Sequence, residues 1–80
     1  MVLERNNLQP LTKIGTGQVV RLVNIAAGST LVRRLTELGL TPGVEFKVIQ
    51  AQGGPVLLAV RDARLALGHG MAQKILVEYV

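Results

Sequence analysis

The segment from Arg33 to Gly43 (Arg-Arg-Leu-Thr-Glu-Leu-Gly-Leu-Thr-Pro-Gly) constrains the fold more than any other, because it encodes a short helix, the end of that helix and the entry to a strand. Leu31, Leu35 and Leu38 fall at i, i+4 and i+7 and form one apolar stripe, while Arg33, Arg34 and Glu37 project from other faces. Ser29 stands where an N-cap is expected. Gly39 stands where the chain needs a left-handed residue just past the helix, and Thr41, preceding Pro42, is driven out of the α region by the proline ring. The helix must end by about Leu40. Pro42 and Gly43 then fit the central positions of a type II turn, which sends the chain into Val44 as a strand.

A helix this short needs a sheet to cover it, and the rest of the sequence supplies strands. The first runs from Gln18 to Ile25, with Val20 and Leu22 on one face and Val19 and Val23 on the other. The second, Val44 to Gln50, alternates Val44, Phe46 and Val48 inward with Glu45 and Lys47 outward. After the Gly53-Gly54-Pro55 turn, Val56 to Arg61 is continuously apolar, which predicts a strand covered on both faces or bent. Asp62-Ala63 reverses the chain into Arg64 to Leu67. A Gly68-His69-Gly70-Met71-Ala72 connector then leads to a last strand, Lys74 to Tyr79, with Ile75, Val77 and Tyr79 on one face. Five short strands separated by Gly and Pro turns, with one short α-helix between the first and second, predict a mostly β fold that curls into a small barrel. Closure would remove the hydrophobic edges that an open sheet of this size leaves unpaired. Residues 1–10, rich in Asn and Gln, read as a flexible N-terminal arm, and residues 11–80 as the barrel domain.

Composition fits one small, aliphatic core. The chain has 80 residues, 49% hydrophobic, but only 2% aromatic, namely Phe46 and Tyr79. A domain of this size buries only about 60% of its unfolded surface, so its core must be efficient. With no cysteine there is no disulfide framework and nothing that points to an oxidising compartment; cytoplasmic residence is the expectation. The first residues lack a basic region followed by an apolar run, and the longest clean apolar run, Val56 to Val60, is too short to span a bilayer. Neither a classical secretion signal nor membrane insertion is expected. The net charge of +4 permits attraction to nucleic acid, anionic lipid or an acidic protein face, and equally serves solubility.

The order Val20-x-Leu22-x-x-Ile25, Arg33-Arg34-Leu35-x-x-Leu38-Gly39-Leu40-x-Pro42-Gly43-x-x-Phe46-x-Val48, Gly54-Pro55, Leu65-Ala66-Leu67, Ala72 and Ile75-x-Val77 resembles the FeoA family over roughly residues 11–78. The resemblance implies an SH3-like barrel and a role as a cytoplasmic accessory protein in bacterial ferrous-iron uptake. The implied partner is the FeoB-type transporter, a membrane permease bearing a GTP-binding domain. The same module resembles the C-terminal domain of iron-dependent repressors of the diphtheria-toxin-repressor type, a version that works with an attached DNA-binding domain not found in these residues. Two departures stand out. Relatives often place a charged stretch and a helical turn before Ala72, where this chain has Gly68-His69-Gly70, and the arm before Leu11 lies outside the shared pattern.

The residues themselves argue for recognition over chemistry. His69 is the only histidine, and Glu4, Glu37, Glu45, Asp62 and Glu78 are scattered, so no convergent ligand set for a metal ion is expected. Gly15-x-Gly17 and Gly68-x-Gly70 continue into neither a phosphate-binding loop nor a dinucleotide fingerprint; both read as turns, and His69 as a turn residue. Ser29, Thr30, Thr36 and Thr41 have no histidine base in motif spacing, which leaves neither a catalytic residue nor a cofactor site to name. Arg33 and Arg34 form either a solvated helix face, with a stem laid over the barrel, or a contact for an acidic partner. Leu38, Leu40, Thr41 and Pro42, beside a rigid turn, form a second candidate docking surface, part of which must be core. A small nucleic-acid-binding barrel is the alternative from charge and architecture. Single-strand binders present aromatic platforms, however, and Phe46 is predicted buried, which makes nucleic acid an improbable partner. Association of like copies through a barrel edge or apolar patch is a third arrangement that the chain allows.

Overall fold

In the computed structural model, which describes residues 8–80, the leucine stripe around Leu35 folds as helix α1 (Ser29–Glu37). Ser29 is not its cap. The first intrahelical bond runs from Val32 N–H to the Gly28 carbonyl at 3.0 Å, so Gly28, extended at φ −69° and ψ 166°, is the half-in residue, and Ser29 sits one place too late. Glycine serves at an N-cap with only a small loss against serine.

The other end of α1 is a complete Schellman motif. Leu38 holds the C-cap at φ −84° and ψ −1°, and Gly39 follows at φ +107°. Gly39 N–H donates to Thr36 O at 3.0 Å and Leu40 N–H donates to Leu35 O at 3.0 Å, the two bonds that define the motif. The reversal turns Leu38 outward, 47% exposed, and drives Leu40 into the core at 0%, beside Leu35 at 1%. The inward stripe of the helical region is thus Leu31, Leu35 and Leu40 in place of the expected Leu31, Leu35 and Leu38, because the chain leaves helical geometry one residue before the third position matters. Val44 N–H then donates to Thr41 O at 3.0 Å with Gly43 at φ +90°, the predicted type II turn.

Among the described residues the strands form one antiparallel six-stranded sheet in the order β1-β6-β2-β3-β4-β5. They are β1 (Gln9–Pro10), β2 (Val19–Ile25), β3 (Glu45–Gln50), β4 (Val56–Val60), β5 (Ala63–Leu67) and β6 (Ile75–Tyr79). The sixth strand beyond the expected five is β1, where Gln9 pairs with Val77 and Pro10 with Leu76. Residues 9–10 of the expected arm are therefore part of the sheet and Leu8 is an exposed residue before it; the rest of that expectation, residues 1–7, lies outside the described residues. A two-residue pairing has too little periodicity to be read from sequence, and Pro10 is tolerated there because β1 is an edge. Among the described residues the terminal strands β1 and β5 each have one neighbour, and no hydrogen-bonded ladder joins them to close the curled sheet.

Curling follows from two irregularities. Register shifts between Leu22 and Asn24 in the β2–β6 ladder and between Val48 and Gln50 in the β3–β4 ladder mark bulges at Val23 and Ile49, which bend and twist the strands. One face of the curled sheet collects Val20, Leu22, Phe46, Val48, Leu58 and Val77, and a 3₁₀ turn at Leu11–Lys13 adds Leu11 and Ile14 to the same core. Among the described residues no polar or charged residue is buried. The apolar run of β4 alternates after all: Val56, Leu58 and Val60 are buried while Leu57 and Ala59 are half-buried. Tyr79, expected to share one face with Ile75 and Val77, is the last residue of β6, paired with Val20, and is 46% exposed where those two are buried. The connector before β6 contains a second helix, α2 (His69–Ala72), whose Ala72 is fully buried despite the flanking glycines.

Two substitutions test this account by urea denaturation. Leu35→Ala, at a position 1% exposed, is expected to lower stability by about 2 to 5 kcal/mol through the lost transfer energy and the cavity left behind. Gly39→Ala meets only ordinary contact, 3.7 Å to Val60 Cγ1, yet must hold φ +107°, and is expected to cost about 1 to 2 kcal/mol from backbone strain alone. A neutral result at Gly39 would remove the Schellman motif from the determinants of this fold.

Candidate interaction surfaces

Helix α1 presents the predicted basic pair to solvent. Arg33 and Arg34 are both exposed, and neither has an ion-pair partner among the described residues. Arg34 and Leu38 lie one turn apart on the helix face, linked by the Leu38 N–H to Arg34 O bond at 3.3 Å. Pro42 is exposed and Thr41 half-buried, its N–H and carbonyl both used within the turn. Leu40 is not part of this surface: the Schellman reversal that exposes Leu38 buries it completely. The structure therefore keeps Arg33, Arg34, Leu38, Thr41 and Pro42 as surface candidates and moves Leu40 to the core.

His69, read as a turn residue, opens α2. Its Nε2 lies 2.9 Å from the Gly54 carbonyl oxygen, so a protonated Nε2 donates there and ties the α2 region to the β3–β4 turn. Among the described residues no group of three His, Cys, Asp or Glu side chains is arranged to hold a metal ion. No described helix is long and apolar enough to cross a membrane.

The outward face of the sheet carries two rungs of charge that inspection of single strands misses. In the first, Arg21 on β2 pairs in register with Glu45 on β3 and Glu78 on β6. Its Nη1 donates to Glu78 Oε2 at 3.1 Å and its Nη2 to Glu45 Oε2 at 3.3 Å. The hydrogen bond to Glu78, then that to Glu45, raises the Arg21 guanidinium pKa above its ordinary value. In the second, Lys47 on β3 lies opposite Ala59 on β4, and Ala59 opposite Arg64 on β5. This rung borders an open cleft of about 430 Å³ whose other side is the Thr16–Gly17 turn. Gly17, at φ +91°, is pinned there by its N–H donating to Val48 O at 2.7 Å. The outward alternation of Glu45 and Lys47 was visible in the sequence; the register that assembles three strands into a rung was not.

Among the described residues these surfaces offer cations, an exposed leucine and a shallow cleft. The comparisons with known proteins agree with the fold that carries them. A Methanocaldococcus jannaschii protein provisionally named Fe(2+) transport protein A is 37% identical over 71 residues, which is 89% of this chain and 87% of that one. A crystal structure of an iron uptake regulatory protein (FeoA) superposes with a TM-score of 0.83 at 32% identity, covering 91% of this chain and 99% of the other. The solution structure of the FeoA protein from Chlorobium tepidum gives 0.82 at 26% identity, covering 90% and 70%. A manganese-dependent transcriptional repressor shares the fold, with a TM-score of 0.82 at 21% identity, over 91% of this chain and 42% of its own. The expected SH3-like architecture and its likeness to repressor domains thus both stand. The FeoA domain family matches residues 9–79, from the β1 edge to the end of β6, and the chain belongs to that family.

Proposed function

We propose that this protein is a non-catalytic accessory protein of ferrous-iron uptake, acting on the cytoplasmic side by binding the FeoB-type GTPase transporter and modulating its assembly or GTP hydrolysis. The contact is made by the C-terminal half of α1 and the turn after it: Arg33, Arg34, Leu38, Thr41 and Pro42. The observation that carries this reading is the 47% exposure of Leu38 at the end of a helix whose Leu31 packs against the core and whose Leu35 lies in it, next to two arginines without ion-pair partners among the described residues. An aliphatic anchor ringed by cations fits an acidic, partly apolar protein face. Family membership and the iron-transport name of the M. jannaschii relative support the choice of system. Ferrous iron is the cargo of the transporter in this reading, and GTP belongs to the partner.

Nucleic acid is a poor fit. Of the two aromatics, Phe46 is buried at 3% exposure, which leaves Tyr79 alone and no stacking platform. The likeness to the manganese-dependent repressor concerns the fold.

Titration calorimetry against the cytoplasmic domain of the transporter tests the contact. Arg33→Glu with Arg34→Glu is expected to change stability by about 1 kcal/mol or less, because both side chains are exposed, and to weaken binding about tenfold or more. Leu38→Ser is expected to leave the fold intact and to weaken binding as well. Unchanged affinity in folded forms of both variants would refute this surface as the contact.

A further inference from the structure

The two outward rungs have opposite patterns. The first reads acid, base, acid: Glu78, Arg21, Glu45, with the central cation satisfied from both sides. The second reads base, alanine, base: Lys47, Ala59, Arg64, with an exposed cation on each side of a methyl group. Adjacent strands lie about 4.8 Å apart, so the backbones of Lys47 and Arg64 are about 10 Å apart; as like charges they cannot pair with each other, and both side chains are long enough to reach a group above Ala59. Neither cation has an ion pair among the described residues.

We propose that the cleft over Ala59 is a docking site for an acidic peptide segment of a partner protein, with one Asp or Glu carboxylate held between Lys47 and Arg64. Charge complementarity sets the anionic group: a carboxylate above Ala59 completes in trans the alternation that Arg21, Glu45 and Glu78 complete within the chain. The lining selects a peptide. Ala59, the bulged Ile49 and Gly17 form a mostly apolar floor, Thr16 adds a hydroxyl at the rim, and the cleft of about 430 Å³ takes a carboxylate side chain with a small aliphatic neighbour. A polynucleotide finds no aromatic side chain in this lining to stack on and only two cations to meet its phosphates. A second copy of the chain is disfavoured by a net charge of +4 on each molecule and by the pairing of Glu45 and Glu78 with Arg21. The site shares no residue with the α1 surface proposed for the transporter, and stands whether or not that proposal holds.

The test is an NMR titration of the full chain with a capped Ala-Val-Glu-Val-Ala peptide, its Gln analogue and a short oligothymidylate. The acidic peptide is expected to shift the amides of Gly17, Lys47, Ile49, Ala59 and Arg64, and the Gln analogue to bind about tenfold more weakly or not at all. Lys47→Gln with Arg64→Gln, both at exposed positions, is expected to retain the dispersed spectrum and to lose the acidic peptide by about tenfold or more, while Arg33→Glu with Arg34→Glu leaves it unchanged. Equal binding of the Gln analogue, shifts centred outside the cleft, or oligothymidylate saturating the same amides at lower concentration than the peptide would overturn the proposal.

Discussion

The structure depends on one reversal of backbone direction. At the end of α1 the Schellman pair of hydrogen bonds requires a residue at positive φ, and Gly39 provides it at no steric cost. Everything on either side follows. Leu40 is carried back under Leu35, so helix and turn share one core rather than merely abutting it. The same reversal delivers Thr41 to the type II turn, whose Gly43 N–H donates to the Leu22 carbonyl at 2.8 Å, while Leu22 N–H donates to Val44 O at 2.8 Å. The helix end is thereby locked to β2, and β3 starts in a fixed register against it. Leu38 is exposed as a by-product of the same geometry. A surface anchor beside a core-forming turn is a consequence of how the helix stops, and the rigidity of the turn is what makes such an anchor preorganised for binding.

Charge on the outer sheet face is organised by register. The Arg21 triad is solvent-exposed in large part, with side-chain exposures of 38% for Arg21, 51% for Glu45 and 33% for Glu78, so its contribution to stability is modest. Its value lies in direction: one cation bridging two neighbours on adjacent strands disfavours any slip of β3 or β6 relative to β2, since a one-residue shift would send the carboxylates to the other face. One strand over, Lys47 and Arg64 receive no such answer from their own sheet. The two rungs meet on β3, where Glu45 and Lys47 stand two residues apart, so a self-satisfied region lies beside an unsatisfied one.

The sequence was most legible where punctuation is local. Gly39, Pro42 and Gly43 carry their conformations in their covalent structure, and the Val44–Gln50 alternation needs only the two-residue period; both were read correctly, as was the mostly β class. Legibility failed where the answer depends on partners distant in the chain. Whether Leu38 or Leu40 faces inward is decided by the two capping bonds, which the heptad-like spacing cannot see. Gln9–Pro10 becomes a strand only because Leu76 and Val77 offer it an edge. Helix α2 forms between glycines because burial of Ala72 and the His69 bond to Gly54 outweigh poor local propensity. The Lys47–Ala59–Arg64 rung was invisible for the same reason: its residues are ordinary singly and meaningful only once three strands are aligned.

The sheet order has a kinetic consequence. β3, β4 and β5 are joined by short turns, and their ladders close small loops. β2, by contrast, finds its second neighbour in β6, as in the Leu22–Val77 pair, and β1 has no other neighbour than β6. Closing a loop of that length costs entropy before any of its hydrogen bonds or buried leucines return free energy. The meander is held by local pairings, and the pairing of β6 with β2 is the long-range step, the kind of contact whose closure slows folding in β topologies.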